Sequence, residues 1–254
     1  MVTATFRFYE ELNDFIAPFR RRRAFSCHCA RAATAKHMIE ALGVPHTEVE
    51  LVLVNGESAL FGQMLQDGDR VAVYPRFGTF DISSLQRLRE HPQPSLRFIA
   101  DAHLGGLARM LRMAGFDTLY DNQADDADIA SIAETEERVV LTRDRDLLMR
   151  KGIVHGCYVR ALKAEQQLQE IASRLDLLSS MRPFTLCLRC NAPLNEVTRA
   201  EIDGPLPPAV EATQTIFSTC ALCKGVFWKG SHWQRMRAVL ARCGMPDDAL
   251  RQVS

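Results

Sequence analysis

Apolar and polar residues alternate over residues 3–9 and again over 24–30 ("AFSCHCA"), the period of a half-buried strand. "TAKHMIEALG" then reads as a helix, with Thr34 placed to cap its first amides and Gly43 to stop it. "EVELVLVNGE" is a strand running into an Asn-Gly turn, and "QDGDRVAVYP" adds a second turn and a closing strand. Residues 1–78 are thus expected to fold in the order strand, strand, helix, strand, strand. Residues 79–95, with Pro92 and Pro94, read as a linker.

Beyond the linker the pattern changes period. "LRFIA" predicts a strand, and "LGGLARMLRMAG" a helix burying Leu104, Leu107, Ala108 and Leu111 and ended by Gly115. "DTLYD", "RVVLT" and "IVHGCYV" read as strands, separated by the helices "ADIASIAETEE" and "RDLLMRKG". An amphipathic helix, "KAEQQLQEIASRLDLL", closes the run. Strand–helix alternation argues for an α/β domain with a parallel sheet over residues 96–182. From Pro183 onward the cysteines fall in pairs, Pro205, Pro207 and Pro208 interrupt regularity, and "FWKGSHW" mixes rings with basic residues. Residues 183–254 are expected to form a third, small unit ending in a helix.

Composition narrows the chemistry. Lys plus Arg and Asp plus Glu both number 31, so no global basic field draws the chain to nucleic acid, although local patches remain open. Eight cysteines in 254 residues are too few for a disulfide-built scaffold. No apolar run approaches the ~20 residues of a membrane span, and the opening residues lack a secretory pattern. The chain is expected to be soluble and cytoplasmic, with no membrane partner. No Gly-rich dinucleotide fingerprint or P-loop is present. Asp144-Arg-Asp146 is followed by two leucines, where a haloacid-dehalogenase phosphatase needs a small hydroxyl residue.

The stretch "VVLTRDRDLL" drives an apolar strand straight into two carboxylates, Asp144 and Asp146. In parallel α/β sheets the reactive crevice lies at the carboxyl ends of the strands. Asp101, Asp121 and Asp144 each follow a predicted strand, and Asp125, Asp126 and Asp128 open the next helix. Carboxylates gathered at one edge repel unless a cation lies between them. Hard oxygen donors at an open site suit Mg²⁺ or Mn²⁺, which can activate water and stabilise the leaving oxygen of a phosphodiester. A plainer reading stands beside this one. Asp is a favoured N-cap, Asp101, Asp126 and Asp144 all sit before predicted helices, and Asp146 suits the first turn of a helix dipole.

Two resemblances sharpen these expectations. "RFYEELNDF", "VNGE" and "DGDRVAVYP" resemble the ubiquitin-like β-grasp fold of the small sulfur-carrier proteins of thiamine and molybdopterin synthesis. Those carriers work through a free Gly-Gly carboxylate; here a single glycine, Gly78, stands inside a continuous chain, which disfavours carrier chemistry. Asp101, "GGLARMLRMAGFDTLY", "DDADIASIA" and "VVLTRDRDLL" resemble a PIN-type nuclease, and more closely the Mut-7 C-terminal RNase domain family. The resemblance implies a PIN-like ribonuclease using Mg or Mn, with metal-binding acids at Asp101, Asp126 and Asp144 and support from Asp125 and Asp146. Asp121 and Asp125 are both open as counterparts of the family's middle acid.

Cys187-x-x-Cys190 and Cys220-x-x-Cys223, with 29 residues between the pairs, have the spacing of two knuckles clamping one structural zinc. "CNAPL" and "FWKGSHW" match the tail of the same family. Cys27 and Cys29, two apart on a strand and sharing a face with Phe25, read as core instead. Candidate RNA contacts are Arg109 and Arg112, placed off the apolar stripe of their helix, Arg143 and Arg145 beside Asp144, and Lys229 and His232 among Trp228 and Trp233. The expected protein is therefore a metal-dependent ribonuclease of three parts. The alternative is a non-catalytic RNA-binding or adaptor protein, using the zinc ribbon for RNA and the ubiquitin-like domain for a protein partner. The N-terminal domain is expected to be removable without loss of the nuclease chemistry.

Overall fold

The computed structural model describes residues 2–30, 32–76 and 96–246; the expected linker at 79–95 and Gly78 lie outside them. Strands β1 (Val2–Phe8) and β2 (Phe25–Cys29), helix α1 (Ala35–Ala41), and strands β3 (Val49–Val54), β4 (Glu57–Ser58) and β5 (Arg70–Pro75) follow the predicted order. The sheet runs β2-β1-β5-β3-β4, with β1 and β5 parallel and the other neighbours antiparallel, which is the β-grasp arrangement. Thr34 caps α1 by accepting the His37 amide at 3.2 Å, and Gly43 ends the helical turn at φ +98°. Asn55 and Gly56 take φ of 55° and 90°, the two left-handed positions that a two-residue hairpin between Val54 and Glu57 requires. Phe6, Leu12, Ile39, Val52 and Val73 fill the core, and Cys29 is buried there with Cys27 packed at its edge, as the strand period implied.

The next stretch alternates as expected: β6 (Phe98–Ala100), α2 (Gly105–Met113), β7 (Thr118–Tyr120), α3 (Asp126–Glu136), β8 (Val139–Thr142), α4 (Arg145–Leu148), β9 (Gly156–Tyr158) and α5 (Ala164–Arg174). β6 pairs with β7 and β8 with β9, both in parallel, and each pair is joined through a helix as parallel neighbours demand. Leu104, Leu107, Ala108 and Leu111 are all buried. α5 stops short of the predicted end at residue 178. Asp176 adopts a left-handed φ of 50°, the Leu177 amide returns to the Ala172 carbonyl at 2.9 Å, and Leu177 is buried.

Contacts gather the chain into two compact units that are not sequential: 1–95 with 124–158, and 96–123 with 159–254. In the first, the β-grasp domain is packed on β9. The turn His46–Glu48 is buried. Glu48 Oε1 accepts the Tyr158 amide at 2.7 Å, and His46 Nε2 donates to the Ile153 carbonyl at 2.9 Å while Nδ1 faces Glu40 Oε1 at 2.7 Å. Phe15 meets the Tyr158 ring edge-on at 5.1 Å. The expected removal of the N-terminal domain would break these contacts, because part of the strand pair β8–β9 completes its hydrogen bonding and burial on it.

In the second unit, α2 lies against α5 so closely that a Cβ on Gly106 would come within 3.0 Å of the Ala164 Cβ. Residues 182–184 run along the end of α2, with the Arg182 amide on the Ala114 carbonyl and the Phe184 amide on the Met113 carbonyl, both at 2.9 Å. Gly115 (φ +91°) makes this possible: a Cβ there would sit 2.0 Å from the Arg182 carbonyl oxygen. Gly115→Ala is therefore expected to destabilise the chain by about 3 kcal/mol or more, through backbone strain and a clash with no flexible partner. Urea unfolding checks this, and a midpoint equal to the parent's would show that the segment yields freely. The unit continues as β10 (Leu194–Thr198), α6 (Pro208–Glu211), β11 (Ile216–Cys220), β12 (Val226–Phe227) and α7 (Ser231–Arg242). β10, β11 and β12 form an antiparallel sheet in that order.

Candidate functional site

The second unit holds two of the strand-end acids. β6 and β7 pair in register up to Ala100 opposite Tyr120, so Asp101 and Asp121 leave neighbouring parallel strands one residue past the same rung. Asp101 is half-buried and caps the short turn Ala102–Leu104, its Oδ1 accepting the Ala102 amide at 2.5 Å. Asp121 is exposed and accepts the Gln123 amide at 2.9 Å. The Tyr120 hydroxyl donates to the Ala102 carbonyl at 3.0 Å, and its ring occupies the space that a Cβ on Gly105 would fill, 2.6 Å away. Sequence reading takes Gly105 as an ordinary helix start and passes over Tyr120. The adjacent glycines "GG" are the available signal, since helix interiors disfavour them.

The first unit holds the other acids, and it corrects one of them. Asp125, not Asp126, caps α3: its Oδ1 accepts the Ala127 and Asp128 amides at 2.8 and 2.9 Å, and Asp128 answers with a contact to the Asp125 amide. Those amides hold the Asp125 carboxyl below the usual carboxylate range. Asp126 is the first helical residue and pairs instead with Arg150, Nη2 to Oδ2 at 3.2 Å. Arg150 lies just beyond α4, so this pair brings the start of α3 next to the end of α4. Thr142 is fully buried, its Oγ1 accepts the Asp144 amide at 2.9 Å, and the exposed Asp144 caps α4 by accepting the Asp146 amide at 2.8 Å. Asp146 is exposed in the first turn. The capping reading thus holds for Asp101 and Asp144. One capping bond uses one of the roughly four acceptor positions of a carboxylate, so it does not consume the group.

The cysteines come together as their spacing implied. The Sγ atoms of Cys187, Cys190, Cys220 and Cys223 all lie within 4.8 Å of one another, Cys187 and Cys223 at 3.7 Å. The two knuckles repeat one geometry. The Asn191 amide returns to the Cys187 carbonyl and the Lys224 amide to the Cys220 carbonyl, both at 2.9 Å, and Asn191 and Lys224 share a left-handed φ of 61° and 56°. The amides of Cys223 and Leu222 point at Cys220 and draw its thiol down to about 7; the neighbouring Cys223 thiol pushes Cys190 up to about 12. Zn–S bonds near 2.3 Å place tetrahedral sulfurs roughly 3.8 Å apart, so the quartet is able to hold a structural zinc, with every coordination position taken by sulfur.

Arg112 corrects an expectation about RNA contact. It is only 6% exposed, its Nε donates to the Thr118 carbonyl at 2.9 Å, and its Nη1 donates to the carbonyls of Leu188 and Arg189 at 3.1 and 3.0 Å. Burial lowers its pKa, opposed by the nearby Cys187, Cys190 and Asp117. It braces the first knuckle and is withdrawn from any strand of RNA. Asn191 adds to that brace by accepting the Thr118 amide at 2.9 Å and donating to Asp117 Oδ1 at 2.5 Å. Arg109, Arg145, Lys229 and His232 are exposed, and Arg143 is half-buried. Trp228 and Trp233 are half-buried.

Fold and cysteine geometry together define a β-grasp domain followed by an α/β region and a paired-knuckle cysteine quartet able to hold a metal. The chain belongs to the Mut7-C RNAse domain family, whose model matches residues 96–240, and the Mut7-C ubiquitin model matches residues 1–81. Two crystal structures of the small archaeal modifier protein SAMP1 of Haloferax volcanii are similar to 30% of this chain, at 20% identity. They are covered over 98% and 96% of their own length, with TM-scores of 0.25 and 0.24. No curated protein matches the chain. Among the described residues no helix is long and apolar enough to cross a membrane.

Proposed function

We propose that the protein is a divalent-metal-dependent ribonuclease with a PIN-like active site, hydrolysing RNA phosphodiesters through Asp101, Asp126 and Asp144, with Asp125 and Asp146 in support. Membership of the Mut7-C RNAse family carries this reading. The placement of Asp101 and Asp121 after β6 and β7, and of Asp144 just beyond β8, supports it. A bound Mg²⁺ or Mn²⁺ would supply a water of lowered pKa and offset charge on the phosphodiester. The protein's own part is to hold carboxylate oxygens at fixed positions, as the Asp146 amide does for Asp144 and the Ala102 amide does for Asp101. Exposed Arg109 and Arg145, with Arg143, would hold the strand by its phosphates. The zinc is structural, because four thiolates leave no position open. None of the eight cysteines is in a disulfide, which supports a cytoplasmic location. In the β-grasp domain Phe19, Leu60 and Met64 stand exposed, which supports a protein partner there.

A second reading, a non-catalytic RNA-binding adaptor, is favoured by the capping roles of Asp101 and Asp144. Incubating the full chain with single-stranded RNA and Mn²⁺ separates the two. Cleavage that requires the ion is expected. Asp144→Asn keeps the capping oxygen, so stability should change by less than about 1 kcal/mol. Its cleavage rate should fall by about 100-fold or more, since the site loses a charge the cation needs. Asp126→Asn should behave alike and Asp128→Asn should be milder. Parent-like cleavage by Asp144→Asn would remove it from the active site, and no cleavage by the parent would leave the adaptor reading.

A further inference from the structure

The second unit contains a cavity of about 520 Å³ between the ribbon sheet and α7, lined by the rings of Phe184, Phe227, Trp228 and Trp233. We propose that this cavity takes one unstacked base of a single-stranded RNA, held between aromatic faces with its phosphate on Lys229 and His232. The inference rests on the ribonuclease reading for its ligand class and deepens it by assigning where the strand is gripped away from the carboxylates.

Of the five aromatic rings that line the cavity, Phe217 is fully buried and belongs to the core, whereas Phe184, Phe227, Trp228 and Trp233 are half-buried and keep surface open to a ligand. A volume near 500 Å³ lies within the range of small-molecule sites and accommodates a nucleotide, with ring faces for stacking. Trp233 is held in place for this: the Phe184 ring lies 5.6 Å from it, and Lys229 Nζ and Arg237 Cζ stand 5.8 and 4.9 Å from its ring centroid. Phe184 itself adopts a left-handed φ of 60°, a conformation a bulky side chain seldom takes, pinned by the hydrogen bond its amide donates to the Met113 carbonyl. Charge around the cavity favours a polyanion over an acidic or neutral peptide. The first two turns of α7 carry His232, Arg235 and Arg237 and no acidic residue, and Lys229 and His232 are exposed at the lining. The lining's acid, Glu196, offers an acceptor for the exocyclic amine of a base.

Trp228 and Trp233 are the chain's two tryptophans, so tryptophan fluorescence reports on this cavity alone. The zinc-loaded full chain, with no Mg²⁺ or Mn²⁺ added, is titrated with octauridylate, octaadenylate and a ribose-phosphate octamer lacking bases, while end-labelled RNA reports binding by anisotropy. The base-containing oligomers are expected to quench the tryptophans saturably and the abasic one is not. Trp233→Ala should weaken RNA binding roughly ten-fold, with Trp233→Phe restoring most of it, and Lys229→Gln should lower the slope of binding against salt by about one. RNA that binds or is cleaved by the parent without any fluorescence change would overturn the cavity while leaving the ribonuclease reading intact. Equal quenching by the abasic oligomer would also overturn it. An absence of both RNA binding and Mn²⁺-dependent cleavage would overturn the two together.

Discussion

Cys220→Ser is expected to strip the protein of its zinc and to loosen α2 and β7 along with the ribbon. A four-thiolate zinc contributes on the order of 10 kcal/mol to the fold that holds it, so the knuckles and the sheet β10–β12 should melt. The loss should travel because Arg112 commits its buried guanidinium to the carbonyls of Leu188 and Arg189, inside the first knuckle, and of Thr118, in β7. With the knuckle gone, two donor contacts of a buried cation go unmet, at about 1–3 kcal/mol for each group left unsatisfied, and more where charge is involved. Asn191 ties the same knuckle to Thr118 and Asp117, and those bonds are lost too. Hydrogen exchange across residues 107–120 together with zinc content checks this. Parent-like protection at Thr118 in a zinc-free variant would show that the ribbon melts alone.

Deleting residues 1–78 is expected to destabilise residues 124–158 severely, leaving a fragment that aggregates or exchanges its β8 and β9 amides freely. The Tyr158 amide loses Glu48 Oε1, the Ile153 carbonyl loses His46, and the Tyr158 ring loses Phe15. A milder version isolates the hydrogen bond from the burial. Glu48→Gln keeps an acceptor for the Tyr158 amide and should be tolerated. Glu48→Ala removes that acceptor at a contact where Glu48 is 3% exposed, at an expected cost of about 1–3 kcal/mol. Urea unfolding of the full chain measures both. Equal stability of Glu48→Ala and the parent would mean that the β-grasp domain rests on β9 without supporting it.

Local features are legible in the residues themselves. Asn55-Gly56 announces its hairpin because few residues accept two consecutive positive φ values, and the apolar period of residues 104–111 announces α2 because four side chains must share one face. Cys187, Cys190, Cys220 and Cys223 announce a cluster able to hold a metal because each knuckle is a short loop whose geometry depends on few neighbours. Residue order alone therefore specifies the elements, their succession and the cysteine quartet, all governed by interactions over a few positions. Long-range packing settles the rest. Asp125 and not Asp126 caps α3, bonding reciprocally with Asp128, while Asp126 pairs with the distant Arg150. Arg112 faces the Cys187–Cys190 knuckle rather than solvent, Gly105 makes room for Tyr120, and β9 is completed by the β-grasp domain. Each of these joins groups distant along the chain, and the donor or the missing Cβ carries no local mark of the partner that folding will bring to it.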